Sequence, residues 1–217
     1  MREAYHQQLN RLADELATMC AMDAVAMERA TRALLDTDLA LAEEVISGDV
    51  LIDEARSRSE EHAGALLALQ APVATDLRVV ITALHAAESL ERMGDLALHV
   101  AEAARRRHPH PVLPEQVRDD FARMGEVAVR LARKAEQVIR TRDLQLVREL
   151  EREDDEMDAL HKHLFSVLMD REWVHGVAAA VDVSLLSRFY ERFADHAVSV
   201  ARRMEFVVTG KRPSSEG

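Results

Sequence analysis

The sequence lacks several features that define other classes of protein. Its 217 residues include one cysteine, five prolines, seven glycines and only 4% aromatic residues. The lone Cys20 excludes an intramolecular disulfide framework, and its apolar neighbours predict a buried structural thiol. No apolar run approaches the roughly 18 to 20 residues that span a bilayer, and the first residues show no signal-peptide pattern. We therefore expect a cytoplasmic protein.

Positive charge and catalytic motifs are also scarce. The chain has 28 Lys and Arg residues against 39 Asp and Glu, for a net charge of −11. Broad nucleic-acid binding needs a basic surface, so this balance argues against it and favours metal cations or basic protein surfaces as partners. The sequence contains no glycine-rich phosphate loop, no dinucleotide fingerprint and no nucleophile elbow. We therefore expect that the protein is not an enzyme.

The residues that are present favour an all-α fold. Ala, Leu, Val, Arg and Glu dominate a chain that is 48% hydrophobic, and most of these are good helix formers. Proline, glycine and turn residues interrupt the helical periodicity at a few points. They divide the chain into six predicted helices at about 3–36, 38–70, 73–106, 115–140, 143–171 and 177–208.

The interruptions also predict the domain organisation. The proline-rich segment 109–114 lies near the middle of the chain, with three predicted helices on each side of it. We therefore expect two tandem pseudo-symmetric three-helix bundles, one at 1–108 and one at 115–210. Residues 211–217 are predicted to form a disordered tail.

Two acidic motifs repeat between the halves, which indicates an internal duplication. The pattern Glu-Arg-x-small-Asp occurs at 91–95 and returns at 191–195, in the last helix of each half. In the middle helices, an offset of 105 residues matches the segment from Asp38 with that from Asp143. The same offset aligns an Asp-x-x-x-Asp pair in one half with an equivalent pair in the other.

Each half therefore carries four carboxylates on two helices. Residues i and i+4 share one face of a helix, so each pair repels unless a cation joins it. The apolar face of the second helix is expected to run from Leu41 to Leu69, which leaves the acidic pair at its margin. Such an oxygen-rich array suits Mg²⁺, Ca²⁺, Mn²⁺, Fe or Zn, and several carboxylates permit a multinuclear cluster. The candidate metal ligands are Asp49, Asp53, Glu91, Asp95, Asp154, Asp158, Glu191 and Asp195.

Two interpretations without metal stay open. The acidic pairs could form a solvated face, with Arg92 and Arg192 as their local ion-pair partners. Alternatively, the same grooves could bind basic residues of a protein partner through electrostatic complementarity.

Two further interpretations assign a chemical role to histidine. Glu-x-x-His at 3–6 and 172–175 is the motif of di-iron carboxylate oxidases, but both copies lie at predicted helix ends. His85 or His196 could accept a phosphoryl group on a helical bundle. Both patterns are weaker than the repeated carboxylates.

The sequence resembles the PhoU family of phosphate-signalling proteins over nearly its whole length. The resemblance rests on Gln-Ala-Pro-Val-Ala-Thr-Asp-Leu-Arg at 70–78, followed by the acidic motifs within 90–95 and 190–197. It implies two similar three-helix bundles, with multinuclear metal clusters bound at the eight carboxylates. The family often has Asn four residues after the motif Asp, where this chain has His99 and Ser199.

The resemblance also implies a regulatory role. Members of the family repress the phosphate-starvation response, acting between the high-affinity phosphate ABC transporter and a membrane sensor histidine kinase. We therefore expect the ATPase subunit of that transporter and the kinase as partners, with membrane association only through them. No nucleic-acid partner is expected, and formation of a homodimer stays open.

Overall fold

Six α-helices form nearly all of residues 2–70 and 72–211, which are the residues that this computed structural model describes. Within these ranges there is no β-strand, and no helix carries an apolar stretch long enough to cross a bilayer. The predicted all-α class is confirmed, and each helix begins and ends within three residues of its predicted position. The helices are α1 (Arg2–Asp36), α2 (Leu39–Gln70), α3 (Ala74–Arg107), α4 (Arg118–Thr141), α5 (Leu144–Met169) and α6 (Gly176–Thr209).

The same local structure ends the first helix of each half. Thr37 and Arg142, 105 residues apart, both adopt the left-handed conformation, with φ of 56° and 55°. Each is followed by an aspartate, Asp38 or Asp143, whose carboxylate accepts a hydrogen bond from a backbone amide of the next helix, at 3.0 and 2.8 Å. These caps satisfy amides that lack a partner within the helix. The internal repeat is therefore visible in the backbone.

The helices form two three-helix bundles that pack against each other. In each half the three helices contact one another in sequence, and α1 also packs on α3 as α4 packs on α6. The halves meet where α1 contacts α4 and α3 contacts α6, and one continuous apolar core extends through both. The predicted tandem bundles are confirmed. Their division into domains at 1–108 and 115–210 stays a prediction, and residues 212–217 of the predicted tail lie outside the described residues.

Helices α1 and α4 approach closely at the junction of the two bundles. A Cβ atom on Gly125 would lie 2.5 Å from Cγ2 of the buried Thr31. The Thr31 hydroxyl donates to the Met27 carbonyl at 2.8 Å, which leaves the buried Tyr190 hydroxyl to donate to Thr31, also at 2.8 Å. One short polar side chain thus links α1, α4 and α6 inside the core.

Two expectations about individual apolar residues have different outcomes. Cys20 is fully buried, and its thiol donates to the carbonyl of Ala132 on α4 at 3.1 Å, so the prediction of a structural thiol is confirmed. Leu69 was expected on the buried face of α2, but it is 79% exposed. It lies in the last turn of α2, where the helix extends past the core.

Replacing Gly125 by Ala should destabilise the protein. The new Cβ would collide with Thr31, which is short, β-branched and hydrogen-bonded on both sides, so it has little freedom to move. Overpacking of this kind costs about 1 to 3 kcal/mol, which exceeds the gain of about 1 kcal/mol that Ala gives over Gly in a helix. Urea unfolding should show a net loss of about 1 kcal/mol.

Gly64→Ala is the matched control for this substitution. Gly64 lies within α2, and a Cβ there would meet no atom within 4 Å. The control should therefore stabilise the protein by about 0.5 to 1 kcal/mol. Equal effects of the two substitutions would contradict the proposed contact.

Candidate functional site

The carboxylates of the first half lie where α2 packs on α3. Asp49 and Asp53 project from α2, and Glu91 and Asp95 project from α3. The two helices come close here because Gly94 has no side chain. A Cβ on Gly94 would lie 3.0 Å from Cδ1 of Ile52 and 3.4 Å from Oδ1 of Asp49. The glycine of the repeated motif therefore brings the aspartate of one helix against the acidic motif of the next.

These carboxylates affect one another's ionisation. Burial, followed by the charges of Asp53, Asp95 and Glu91, raises the pKa of Asp49 to about 6. Burial and then the charge of Asp95 likewise raise the pKa of Glu91. The four groups thus lie close enough for their negative charges to repel, in surroundings that favour the neutral acid over the carboxylate.

Two arginines compensate part of this charge. Arg92 Nη1 lies 3.1 Å from Asp95 Oδ2, and Arg92 Nε lies 3.6 Å from Glu91 Oε2. The expected local ion pairs of Arg92 are therefore present. Arg56, which the sequence analysis missed, reaches from α2 to place Nη1 3.1 Å from Glu91 Oε1. Its position three residues after Asp53 puts it on the same helix face, so the spacing contained a signal for it.

The second half repeats the arrangement between α5 and α6. Burial, then Asp195 and Asp158, raises the pKa of Asp154 to about 7. Burial and then Asp195 also raise the pKa of Glu191. The Asp195 side chain is partly exposed to solvent. Neighbouring atoms nevertheless desolvate its carboxylate enough to raise its pKa, and the charge of Asp158 raises it further. Both halves thus hold carboxylates under mutual repulsion.

The cations near the second set differ from those expected. Glu191 forms its ion pair with Arg188, one turn earlier on α6. Among the described residues Arg192 makes no ion pair with Glu191 or Asp195, so it does not take the part that the solvated-face alternative gave it. Lys162 Nζ lies 3.7 Å from Asp158 Oδ2. A residue three or four positions before or after a carboxylate lies on the same helix face. Arg188, three residues before Glu191, can therefore pair with it in place of Arg192.

A ninth carboxylate, Asp23 on α1, was also missed by the sequence analysis. It has no exposed surface, and neither of its oxygens has a hydrogen-bond partner among the described residues. Burial, then the charges of Asp49 and Glu91, raises its pKa well above the usual value. The sequence held one signal, an aspartate between Met22 and Ala24 in an otherwise apolar stretch. Spacing could not show that α1 turns this residue toward the acidic pairs.

Each acidic set borders a groove on the surface. One groove, of about 360 Å³, lies between α1 and α2 beside Asp49 and Gly94. The other, of about 780 Å³, lies between the start of α3 and the end of α6, with Asp154 and Asp195 along its border. Its walls combine apolar and basic side chains, which include Leu77, Arg78, Ile81, Arg202, Arg203 and Phe206. The acidic sets are therefore accessible from the surface.

The donors suit a hard cation, although they are not yet arranged around one. Among residues 2–70 and 72–211, no group of three Asp, Glu, His or Cys side chains is placed to hold a metal ion. The donor set is nevertheless entirely oxygen, as Mg²⁺ and Mn²⁺ prefer. Both carboxylate oxygens of Asp23, and Oε2 of Glu91, are buried and have no hydrogen-bond partner among the described residues. Binding would require these side chains to rotate toward a common point.

The histidine motifs lie away from any comparable arrangement. The Glu and His residues of both Glu-x-x-His motifs, 3–6 and 172–175, are exposed instead of facing a bundle core. His85 is exposed in the wall of the larger groove. His196 is half-buried, and burial followed by the charge of Arg192 lowers its pKa. The structure thus gives no support to a buried di-iron centre.

Removing the charge of Asp154 should stabilise the metal-free protein in a pH-dependent way. Its folded-state pKa, about 7, lies above the unfolded value of about 3.9. Between these values the folded state binds more protons than the unfolded state, so stability falls as the pH rises through this window. With a chelator present, Asp154→Asn should gain about 1 kcal/mol at pH 8, a value reduced by solvent screening, and almost nothing at pH 4.

Asp155→Asn removes the same charge from the neighbouring, exposed position of α5 and serves as the control. Its effect on the free energy of unfolding at pH 8 should be clearly smaller. A gain for Asp154→Asn that does not change between pH 4 and pH 8 would contradict an electrostatic origin.

Solved structures of other proteins share this fold. The crystal structure of the phosphate transport system regulatory protein PhoU from Streptococcus pneumoniae aligns with a TM-score of 0.84 at 23% identity, over 96% of this chain and 99% of that one. The crystal structure of PhoU from Pseudomonas aeruginosa gives the same TM-score at 24% identity, over 95% of this chain and all of that one. At these identities the match establishes the fold alone.

Sequence comparison extends the similarity over the full chain. This chain is 57% identical over 216 residues to phosphate-specific transport system accessory protein PhoU homolog 1 of Mycobacterium leprae, and the alignment covers 100% of this chain and 97% of the relative. The chain is 58% identical over 213 residues to PhoU homolog 2 of Mycobacterium tuberculosis, and that alignment covers 98% of this chain and 100% of the relative. These relatives are named as accessory proteins. The PhoU domain profile matches residues 16–104 and 121–204, one copy in each bundle, and the chain therefore belongs to the PhoU family.

Proposed function

We propose that this protein is a cytoplasmic negative regulator of the phosphate-starvation response and of phosphate uptake. The observation that carries the proposal is the 57% identity, over the full chain, to a relative named as an accessory protein of the phosphate-specific transport system. In this role it couples the ATPase subunit of the phosphate ABC transporter to a sensor histidine kinase. These two partners follow from the family resemblance.

The exposed apolar surface supports an adaptor role. At the corner between α2 and α3, Leu69 and Val73 are largely exposed, and at the equivalent corner between α5 and α6, Met169, Val174 and Val177 are exposed as well. Exposed apolar patches of this kind often mark protein interfaces. Two equivalent corners on two bundles suit a protein that contacts more than one partner.

The carboxylates supply the second part of the proposal. The four acidic residues between α2 and α3, and the four between α5 and α6, would hold divalent or trivalent cations such as Fe, Zn, Mn or Mg, singly or in a cluster. A bound cation would neutralise the carboxylates and cross-link the two helices that carry them. The raised pKa values of Asp49 and Asp154 support this, because burial and then the charges of neighbouring carboxylates disfavour the ionised form, and a bound cation would favour it. Ordered helices would then present a fixed surface to the partners.

A second candidate function is a metal-free interaction protein. It is favoured by the observation that no three donors among the described residues are already arranged for a metal ion. In that case the acidic faces would bind basic side chains of a partner, as Arg56 and Arg188 already do within the chain. Metal content distinguishes the two candidates.

Elemental analysis should find metal in the purified protein, or after exposure to Fe, Mn, Zn or Mg followed by dialysis. Glu91→Gln with Asp95→Asn, and Glu191→Gln with Asp195→Asn, should each remove the metal of one half, because an amide is a much weaker ligand than a carboxylate. As a control, Glu54→Gln with Glu61→Gln removes two charges from exposed positions of α2 and should leave the metal content unchanged. Wild-type protein that retains no metal under any of these conditions would favour the metal-free candidate.

The adaptor role predicts binding to both partners. Immobilised protein should retain the kinase and the transporter ATPase from membrane extracts, with different occupancy at high and low phosphate. The variants that lose metal should bind roughly tenfold more weakly, since loss of helix order raises the cost of binding. The exposed double variant again serves as the control.

Two results would count against this proposal in different ways. Failure of the wild type to bind either partner at any phosphate concentration would contradict the adaptor role. Metal-depleted variants that bind the kinase and repress phosphate-starvation genes normally would separate regulation from metal binding.

A further inference from the structure

Asp23 is a buried carboxyl group without a hydrogen-bond partner among the described residues. It lies in the middle of α1 and has no exposed surface. The neighbouring Cys20 thiol cannot satisfy it, because that thiol donates to the carbonyl of Ala132. Buried carboxylates are normally paired or bound to metal, since an isolated buried charge is strongly unfavourable. Burial therefore favours the neutral acid of Asp23 unless a cation binds it, and no described side chain supplies a hydrogen-bond partner.

The surroundings of Asp23 are acidic. The charges that act on it belong to Asp49 on α2 and Glu91 on α3. Glu91 Oε2 is itself buried without a hydrogen-bond partner among the described residues, although Arg92 Nε lies 3.6 Å from it, while Oε1 of the same residue pairs with Arg56. Carboxylates on α2 and α3 thus act electrostatically on Asp23 of α1, whereas Arg56 and Arg92 both pair with Glu91 and neither pairs with Asp23 or Asp49 among the described residues.

The internal repeat shows that this arrangement belongs to the first half alone. The offset of 105 residues, which relates Thr37 to Arg142 and Asp38 to Asp143, places Ala128 at the position of Asp23. Ala128 is fully buried and carries no donor atom. The second half can therefore offer carboxylates from α5 and α6 but none at the equivalent position of its first helix.

We propose that Asp23 is a metal ligand, which joins Asp49 and Glu91 so that α1, α2 and α3 together hold a hard cation in the first half. This inference rests on the proposed metal site and adds a ligand from a third helix. The second half, with ligands from two helices, binds the same cation more weakly. The two halves of a duplicated fold thus contain unequal metal sites, and filling the first one fixes α1 against the acidic pair.

The chemistry of the three groups fits this assignment. All the donors are carboxylate oxygens, and affinity for hard cations rises with the number of charged oxygen ligands. Gly94 lets α2 approach α3 closely here, since a Cβ there would lie 3.0 Å from Ile52 Cδ1 and 3.4 Å from Asp49 Oδ1. The equivalent residue of the second half is Ala194, which has a Cβ. Both sequence differences between the halves favour the first site.

Mn²⁺ binding to the full-length, metal-depleted protein tests the proposal, with free Mn²⁺ followed by its electron paramagnetic resonance signal. The second site is first disabled by Glu191→Gln with Asp195→Asn, so that only the first half is observed. In that background, Asp23→Asn should weaken Mn²⁺ binding roughly 10- to 100-fold. Glu28→Gln, an exposed position of α1, is the matched control and should leave the affinity unchanged.

Thermal unfolding provides a second readout that a purely structural role would not produce. Without metal, Asp23→Asn should melt at or above the temperature of its parent, because it replaces a carboxyl group whose ionisation burial disfavours. With saturating Mn²⁺ it should melt below its parent, because the stabilisation by the ion has been lost. Asp23→Ala, with its helical circular dichroism checked, should show the same loss of affinity.

The possible failures can be told apart. If the parent binds Mn²⁺ and the Asp23 variants bind it equally well, the role of Asp23 is overturned while the proposed metal site stands. If wild-type protein binds no Mn²⁺, Fe or Zn, the metal site itself fails, and the assignment of Asp23 fails with it.

Discussion

Repulsion among half-buried carboxylates is the constraint on which the functional surface of this protein depends. In each bundle, two adjacent helices hold four acidic side chains near the edge of the core, and burial together with neighbouring charge raises the pKa of several of them. Arginine and lysine side chains compensate only part of the charge. Groups with perturbed pKa values cluster at functional sites, and this supports the proposal that a ligand of opposite charge binds here.

The rest of the fold keeps these charges in place. A continuous core extends through both bundles, and the contact of Thr31 with Gly125 and Tyr190 joins three helices from the two halves. Small residues at the contacts let the helices approach, as Gly94 does beside Asp49. Because the packed helices cannot easily separate, the acidic pairs stay close together and continue to repel. We propose that a bound cation or basic side chain relieves this repulsion. Sites of this kind couple ligand binding to helix order.

Much of this organisation could be predicted from the sequence. Helix ends followed from local signals, such as the Asp143 cap, and the duplicated motifs identified all eight peripheral carboxylates because residues i and i+4 must share a helix face. The partners of those carboxylates were harder to predict. Arg188 replaced Arg192 because ion pairing within a helix can run in either direction, and Leu69 was exposed because its helix extends past the core. The surroundings of Asp23 depend on how α1 is rotated against α2 and α3, and the periodicity of a single helix carries no information about that rotation.

Anomalous scattering from crystals of the Mn- or Fe-loaded protein tests most directly whether cations relieve the carboxylate repulsion. If they do, one set of anomalous peaks should lie within bonding distance of carboxylates from α2 and α3, and another beside those of α5 and α6. The first set should also lie within bonding distance of Asp23. Loaded crystals without an anomalous peak near any of these carboxylates, in which the acidic side chains are paired only with arginine and lysine, would contradict cation binding at these sites.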